Sequence, residues 1–240
     1  PKGNVTGTTD MNPIKEQVDL MLKIMPQTKN VGVVYSSSEV NSQLQVKILK
    51  EVLAAKNINV VEATVSNVND IQQAAQSLVG KVDAVYAPTD NVIASAMPTL
   101  VAITDEAKIP VFCGEGGMVK AGGLATVGID YYKLGLQTGA MAARILSGKE
   151  RPATMAIASQ KEMQTIVNTE AAKKLGIKAV IVMPTTTPDL KIDAVRNFGA
   201  EVVLYGDSFN ESYDYAQQLS KKKGLTMIPP YDDPDVIAGQ

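Results

Sequence analysis

The chain has 240 residues, 45% hydrophobic and 20% charged, and 23 Lys+Arg against 25 Asp+Glu leave a formal net charge of −2. This suits a globular α/β protein of one large domain, or a domain plus a small partner, and it offers little to nucleic acid or an anionic membrane. With no His and a single Cys, histidine general bases, Ser-His and Cys-His pairs, intrachain disulfides and thiolate zinc sites are excluded.

No apolar run approaches the ~20 residues that span a bilayer, and no signal-peptide pattern is visible. The chain opens Pro1-Lys2-Gly3 without Met, so an upstream segment is expected to have been removed or left out. Asn12-Pro13 reads as the start of a helix, Asn as N-cap and Pro at N1. Ile14, Val18, Met21, Leu22 and Met25 follow at helical spacing until Pro26. Val31-Gly32-Val33-Val34-Tyr35 is a short continuous apolar run, as in a parallel strand covered on both faces. Three similar runs follow at Val60–Ala63, Val82–Tyr86 and Ile109–Phe112. Helices are expected between them, at about Asn41–Ala55, Asn69–Val79 and Asn91–Ala107. Cys113, directly after the last run, reads as a buried inert thiol.

Leu124–Val127 is a further strand. Tyr132–Leu146 is a helix closed by Gly148 at C′. Met163–Asn168 reads as extended, and Thr169 as the cap of a short helix, Glu170–Leu175, ended by Gly176. The rhythm resumes with the strand Ala179–Met183, the helix Pro188–Phe198, the strand Glu201–Tyr205 and the helix Asn210–Lys223. Pro229–Gln240 is turn-rich and expected to be irregular. The repeated βα alternation with right-handed crossovers predicts an α/β fold, a doubly wound parallel sheet.

In such sheets ligands sit at the carboxyl ends of strands. Three loops there carry small polar residues: Ser36-Ser37-Ser38-Glu39 leading to Asn41, Pro88-Thr89-Asp90-Asn91, and Gly114-Glu115-Gly116-Gly117. Hydroxyls and helix N-terminal amides suit a carboxylate, and Asp90 or Glu115 suits an ammonium. A zwitterionic amino acid is one reading of these loops. Helix caps and turns, which use the same residue types, are the other.

Five segments occur together and in order: Asn4-Val5-Thr6-Gly7-Thr8-Thr9-Asp10, Val33–Glu39, Pro88–Asn91, Gly114–Gly117 and Val127-Gly128-Ile129-Asp130-Tyr131-Tyr132. From about Gly3 to Ile177 the chain resembles the second lobe of tryptophan/tyrosine-type solute-binding proteins of ABC transporters. That resemblance implies a periplasmic-binding-protein-like lobe, with Ser36, Ser37, Glu39, Asn41, Thr89, Asp90, Gly114, Glu115 and Asp130 facing the cleft. The family's first lobe, with its half of the site, is absent, so a small amino acid is expected to bind only weakly. Lobe closure aside, a monomer or a homo-oligomer through the face left by the missing lobe is expected.

From Lys178 onward the residues Ala179–Pro184, Pro188-Asp189-Leu190-Lys191, Asp193–Arg196, Phe198–Val202, Pro229–Pro234 and Val236–Gln240 resemble biosynthetic threonine dehydratases, pyridoxal-phosphate enzymes of fold type II, and their serine racemase relatives. This implies a Rossmann-like βαβα unit that extends or flanks the lobe, with a division into 1–177 and 178–240. The family's Ser-Phe-Lys and Ser-Gly-Asn-His motifs are missing, and its Gly-rich phosphate loop would fall beyond Gln240. Lys191 and Lys221–Lys223 read as solvated charges, so neither a cofactor nor a catalytic residue is assigned. The resemblances place the first part outside the cytoplasm and the second inside it, and so assign no single compartment.

The two meet at Thr169–Lys178, a helix ending Leu-Gly before a strand, a form both families share. Natural fusions usually join whole domains through a linker. None is present, so the chain reads as a deliberate chimera without a complete natural activity, the alternatives being a weak amino-acid-binding module and a pyridoxal-phosphate enzyme fragment that works only with a partner chain. The dehydratase piece is expected to pack against the Tyr132–Leu146 helix, where the missing lobe would have docked.

Overall fold

The computed structural model describes residues 3–197 and 199–228. The expectations for Pro1-Lys2, Phe198 and Pro229–Gln240 lie outside the described residues. The fold is α/β, built on a six-stranded, mostly parallel sheet. In chain order the first elements are β1 (Thr8–Thr9), α1 (Ile14–Ile24), β2 (Asn30–Ser36), α2 (Val40–Ala54) and β3 (Asn59–Val65). A 3-10 turn leads into α3 (Ile71–Leu78), then β4 (Ala84–Ala87), α4 (Asn91–Ser95), α5 (Met97–Glu106), β5 (Val111–Cys113) and α6 (Gly116–Lys120). After them come β6 (Ala125–Gly128), α7 (Tyr131–Leu146), β7 (Ala158–Ser159), β8 (Gln164–Val167) and α8 (Thr169–Lys174). The described residues finish with β9 (Val180–Met183), α9 (Asp189–Asn197), β10 (Glu201–Leu204) and α10 (Phe209–Lys223).

The main sheet runs β3-β2-β4-β5-β6-β8. Its first five strands are parallel, and β8 joins the edge antiparallel to β6. The expected sheet therefore gains one antiparallel edge, as many otherwise parallel sheets do. Strand alternation divides the core. Val85, Val111 and Cys113 face α3, α4 and α5, while Ala84, Tyr86 and Phe112 face α1, α2 and the Ala171-Ala172 pair of α8. Helices on both faces are the reason these strands read as unbroken apolar runs.

Local choices differ from the sequence reading at three helix starts. Asn12 does not cap α1: the N-cap position is Pro13, without a side-chain cap, because the Asn12 amide is spent on the loops described below. Asn168, not Thr169, caps α8, its side chain accepting from Ala171 N at 3.0 Å. The helix expected over Asn91–Ala107 is two helices, broken at Ala96, with Pro98 in the first turn of the second.

The β9 and β10 strands form their own two-stranded parallel sheet, so the two parts of the chain do not share one. Among the described residues, α7 is not the main support of this unit. Helix α7 rests on the small parallel ribbon β1–β7, with Leu134 and Met141 buried and Leu136 60% exposed. The joint runs instead through α8, whose flanking residues Leu175 and Ile177 pack on the core beneath α1 and α2. The last described residues return there: Thr226 Oγ1 donates to Lys23 O at 2.7 Å, and Ile228 joins the same apolar cluster.

Candidate functional site

The main sheet reverses its winding between β2 and β4: β3 lies on one side of β2 and β4 on the other. Ligands of open α/β sheets bind outside the carboxyl ends at such a point. The loops there are Ser36–Glu39 and Pro88–Asp90, with Gly114–Glu115 and Asp130 following along the same end of β5 and β6.

Asp90 ties the first two loops together. It is 2% exposed, and its Oδ2 accepts from Ser36 N and Ser42 Oγ, both at 2.7 Å. Its Oδ1 accepts from Ile93 N at 3.0 Å and so caps α4. Glu39 reaches the same helix start, accepting from Asn91 N at 3.1 Å and Val92 N at 3.3 Å. Glu115 caps α6 through Gly117 N at 2.6 Å and Met118 N at 2.8 Å. Asp130 caps α7 through Lys133 N and accepts from Gln164 Nε2, both at 3.0 Å. Thus all four candidate carboxylates hold helix N-termini, where their charge meets the positive end of the helix dipole. The geometry leaves α2, like α1, without a side-chain cap at this end. Exposed Ser37, Ser38 and Asn41 surround its start.

The remaining candidates are structural ties. Asn41 Nδ2 donates to Thr89 O at 2.9 Å. A Cβ on Gly114 would lie 2.5 Å from Thr89 N, so glycine lets the loop after β5 press against the loop after β4. Ser36 is fully buried, its hydroxyl 2.9 Å from that of Ser38.

Several residues here escaped the sequence reading. Gln17, on the buried face of α1, donates from Nε2 to Gly114 O at 3.0 Å and Val127 O at 2.7 Å. A lone amide among the apolar positions Ile14, Val18 and Met21 was its one signal. Asn12 Nδ2 donates to Gln45 Oε1 at 3.1 Å and to Thr89 Oγ1, while its buried Oδ1 has no protein partner. Tyr131 stands over this end with its hydroxyl 3.4 Å from Asp10 Oδ2. Burial, with the charges of Asp10 and Glu115 beside it, pushes its phenol up to about 12. Burial also raises the Cys113 thiol far above its usual range, which leaves it protonated and unreactive.

The β9–β10 unit does not fit pyridoxal phosphate. A Schiff-base lysine needs a desolvated pocket to lose its proton. Lys173, Lys174, Lys178 and Lys221–Lys223 are exposed, and Lys223 Nζ pairs with Glu201 at 3.0 Å. Lys191, half-buried on α9, lies in the first turn beside Asp189. No step is derived through that cofactor.

A doubly wound lobe with polar loops at its switch point defines the class of α/β solute-binding lobes. The ABC transporter substrate binding protein family model matches residues 1–185, and the chain belongs to that family. The pyridoxal-phosphate dependent enzyme model matches residues 140–240, so the two overlap over 140–185, from the end of α7 through α8 and β9. Among curated relatives, a tyrosine-binding protein of Clostridioides difficile is 40% identical over 178 residues, 74% of this chain and 51% of its own length. The biosynthetic L-threonine dehydratase of Haemophilus influenzae is 59% identical over 70 residues, 29% of this chain and 14% of its own length. The chain therefore spans about half of one relative and a small part of the other. Of solved structures, the ligand-free, open form of a substrate binding protein with adhesive properties from Clostridium difficile is 38% identical, with TM-score 0.63 over 85% of this chain and 64% of that one. A Streptococcus pneumonia ABC domain in complex with L-Trp is 35% identical, with TM-score 0.68 over 85% of this chain and 66% of that one. A solute-binding region is thus fused to a threonine dehydratase fragment.

Proposed function

We propose that the chain is a deliberate recombinant, a substrate-binding lobe over residues 1–177 carrying a dehydratase βαβα piece over 178–240, without enzymatic activity. The observation that carries this reading is the joint. Two families that each match only in part overlap over residues 140–185, a stretch that includes α8, and this overlap supports a joint there without a separate linker. The exposed lysines of the second part support the absence of lyase and racemase chemistry. Incubation with pyridoxal phosphate and threonine or serine is expected to give neither site-specific aldimine absorbance nor keto acid; either signal overturns the non-enzymatic reading.

The second reading is residual amino-acid binding, favoured by the start of α2. That helix has no side-chain cap, and exposed Ser37 and Ser38 lie beside it, an arrangement that suits a carboxylate. One half of a cleft encloses little of a ligand, so affinity is weak. The proposed contacts are Ser36, Ser37, Glu39, Asn41, Thr89, Asp90, Gly114, Glu115 and Asp130. Titration with tryptophan or tyrosine is expected to move amide resonances of Ser36–Asn41, Thr89–Asn91 and Gly114–Gly117. Submicromolar affinity, or shifts centred beyond Lys178, contradicts it.

A further inference from the structure

Hydrogen-bond acceptors outnumber donors at the switch-point end of the sheet. Asp10, Glu39, Asp90, Glu115 and Asp130 stand there, and the ion pairs among the described residues engage other acids. Four of the five hold helix starts; Asp10 does not. It is exposed between β1 and α1, and among the described residues its carboxylate receives only the Tyr131 hydroxyl, at 3.4 Å. Two residues on, Asn12 is 6% exposed. Its Nδ2 serves Gln45 and Thr89, while its Oδ1 accepts nothing. A buried acceptor without a donor is rare in native proteins and marks a place for a missing donor. Thr89 in turn lies against Gly114, next to Glu115, and the charges of Asp10 and Glu115 both reach the Tyr131 phenol. The two open acceptors therefore border the loops after β4 and β5 and the start of α7.

We infer that this end of the lobe takes a primary ammonium cation, an amine in preference to a zwitterion, with Asp10 and Asn12 Oδ1 as its anchors. This rests on reading these loops as a residual amino-acid site, and it changes the charge class of the ligand. Donor count favours it: an ammonium brings three N–H donors and no acceptor, which is what the Asp10 carboxylate and the Asn12 carbonyl lack. Charge favours it too. A helix start supplies about half an elementary charge, so each capping carboxylate is offset only in part, and Asp10 has no helix to offset it. The lysines in the first turns here add little. Lys133 pairs with Glu162 at 3.1 Å, and exposed Lys15 is matched by exposed Glu16 beside it. A zwitterion brings its own carboxylate into this negative field; only the uncapped starts of α1 and α2 favour that group. An amine makes the ammonium contacts without that repulsion.

Tryptamine is tryptophan without its carboxylate, so the two isolate that charge. Backbone and side-chain amide resonances of the full chain are followed at neutral pH and low salt while each is added. Tryptamine is expected to bind at least about threefold more tightly than tryptophan, the scale of one partly exposed charge contact. It is expected to move the Asn12 side-chain amide together with Asp10–Asn12 and Thr89–Asn91, and to weaken as added salt screens the charges. Asp10→Asn keeps the side chain's size and an acceptor for Tyr131. In that variant the preference for tryptamine is expected to collapse, whereas Asp214→Asn, on the exposed side of α10, leaves it in place. Tryptophan bound as tightly as tryptamine, a preference that survives Asp10→Asn, or an Asn12 amide unmoved at saturation each overturns the inference. If tryptophan binds at these loops without the preference, the residual amino-acid reading stands alone. If neither compound binds up to about 20 mM, well beyond the weak millimolar range, both fall.

Discussion

The Tyr86 phenol donates to Gln17 Oε1 across 2.5 Å, in an interior where neither side chain is more than 2% exposed. Through its Nε2 the same glutamine holds Gly114 O and Val127 O. One amide thus fixes α1 against the ends of β4, β5 and β6. Gln17→Leu strands the phenol and two carbonyls, and is expected to cost about 2–4 kcal/mol, since each buried group left unpaired costs about 1–3 kcal/mol. Tyr86→Phe is expected to cost about 1 kcal/mol, and the double variant less than the sum. Urea unfolding of the three variants checks this; additive effects contradict the shared bond.

Asp90 separates a structural role from a ligand role. Its carboxylate receives Ser36 N, Ser42 Oγ and Ile93 N. Asp90→Ala removes a cap and leaves buried donors unpaired, so a loss of about 2–4 kcal/mol is expected in denaturant unfolding. Were the carboxylate instead held for an ammonium ligand, the variant would bind poorly but melt normally.

Alkaline titration reads two tyrosines. Burial, the bond to Glu62 and that residue's charge push Tyr35 up to about 12, and Tyr131 is likewise raised to about 12, burial first. Both phenols stay neutral in the folded state at a pH where they would ionise in the unfolded chain. Their stabilisation is therefore complete below about pH 10 and lost as pH climbs through about 12. Absorbance at 295 nm is expected to show a late phenolate step, diminished in Tyr35→Phe and in Tyr131→Phe. An unchanged step in both variants rejects the assignment.

The seam gives a prediction about cooperativity. Ile177 and Ile228 join the core beneath α1, and Thr226 holds Lys23 O. Ending the chain at Ile177 removes the strap at Thr226–Ile228 and uncovers part of α1. A lower melting temperature is expected, with a single transition in the full chain because α8 belongs to the main core. Equal stability of the shortened chain would mark the β9–β10 unit as a passenger.

Much of this was legible because covered strands need continuous apolar runs: Val31–Tyr35 and Val82–Tyr86 lie in or overlap largely buried strands, while Ala179–Met183 also overlaps a strand but one that is only half-buried, not covered on both faces as expected. β1 and β7 were not legible. They are two residues each and exist only by pairing Thr8 with Ala158 and Thr9 with Ser159, far apart in the chain and without a local period. The capping role of Asn12 was misread for a related reason, since its amide answers to Gln45 and Thr89 rather than to its own helix. At the switch point the residue types were visible, but a carboxylate that caps a helix and one that waits for a ligand look alike in sequence. The partner of the β9–β10 unit was misjudged because only the fold reveals which apolar surface lies within reach of Ile177.

Helix α8 asks very little of whatever follows it. It buries two alanines, turns its lysines outward and stops at Gly176, whose φ of 77° glycine adopts freely. The demands across the joint are few but specific: the Lys173 stem lies where a Cβ on Gly199 would come within 2.1 Å, and Thr226 and Ile228 must reach back to α1. Another βα unit grafted after this helix should be accepted only where it keeps a glycine opposite Lys173 and an apolar return to α1, so the lobe sets terms for whatever is attached to it.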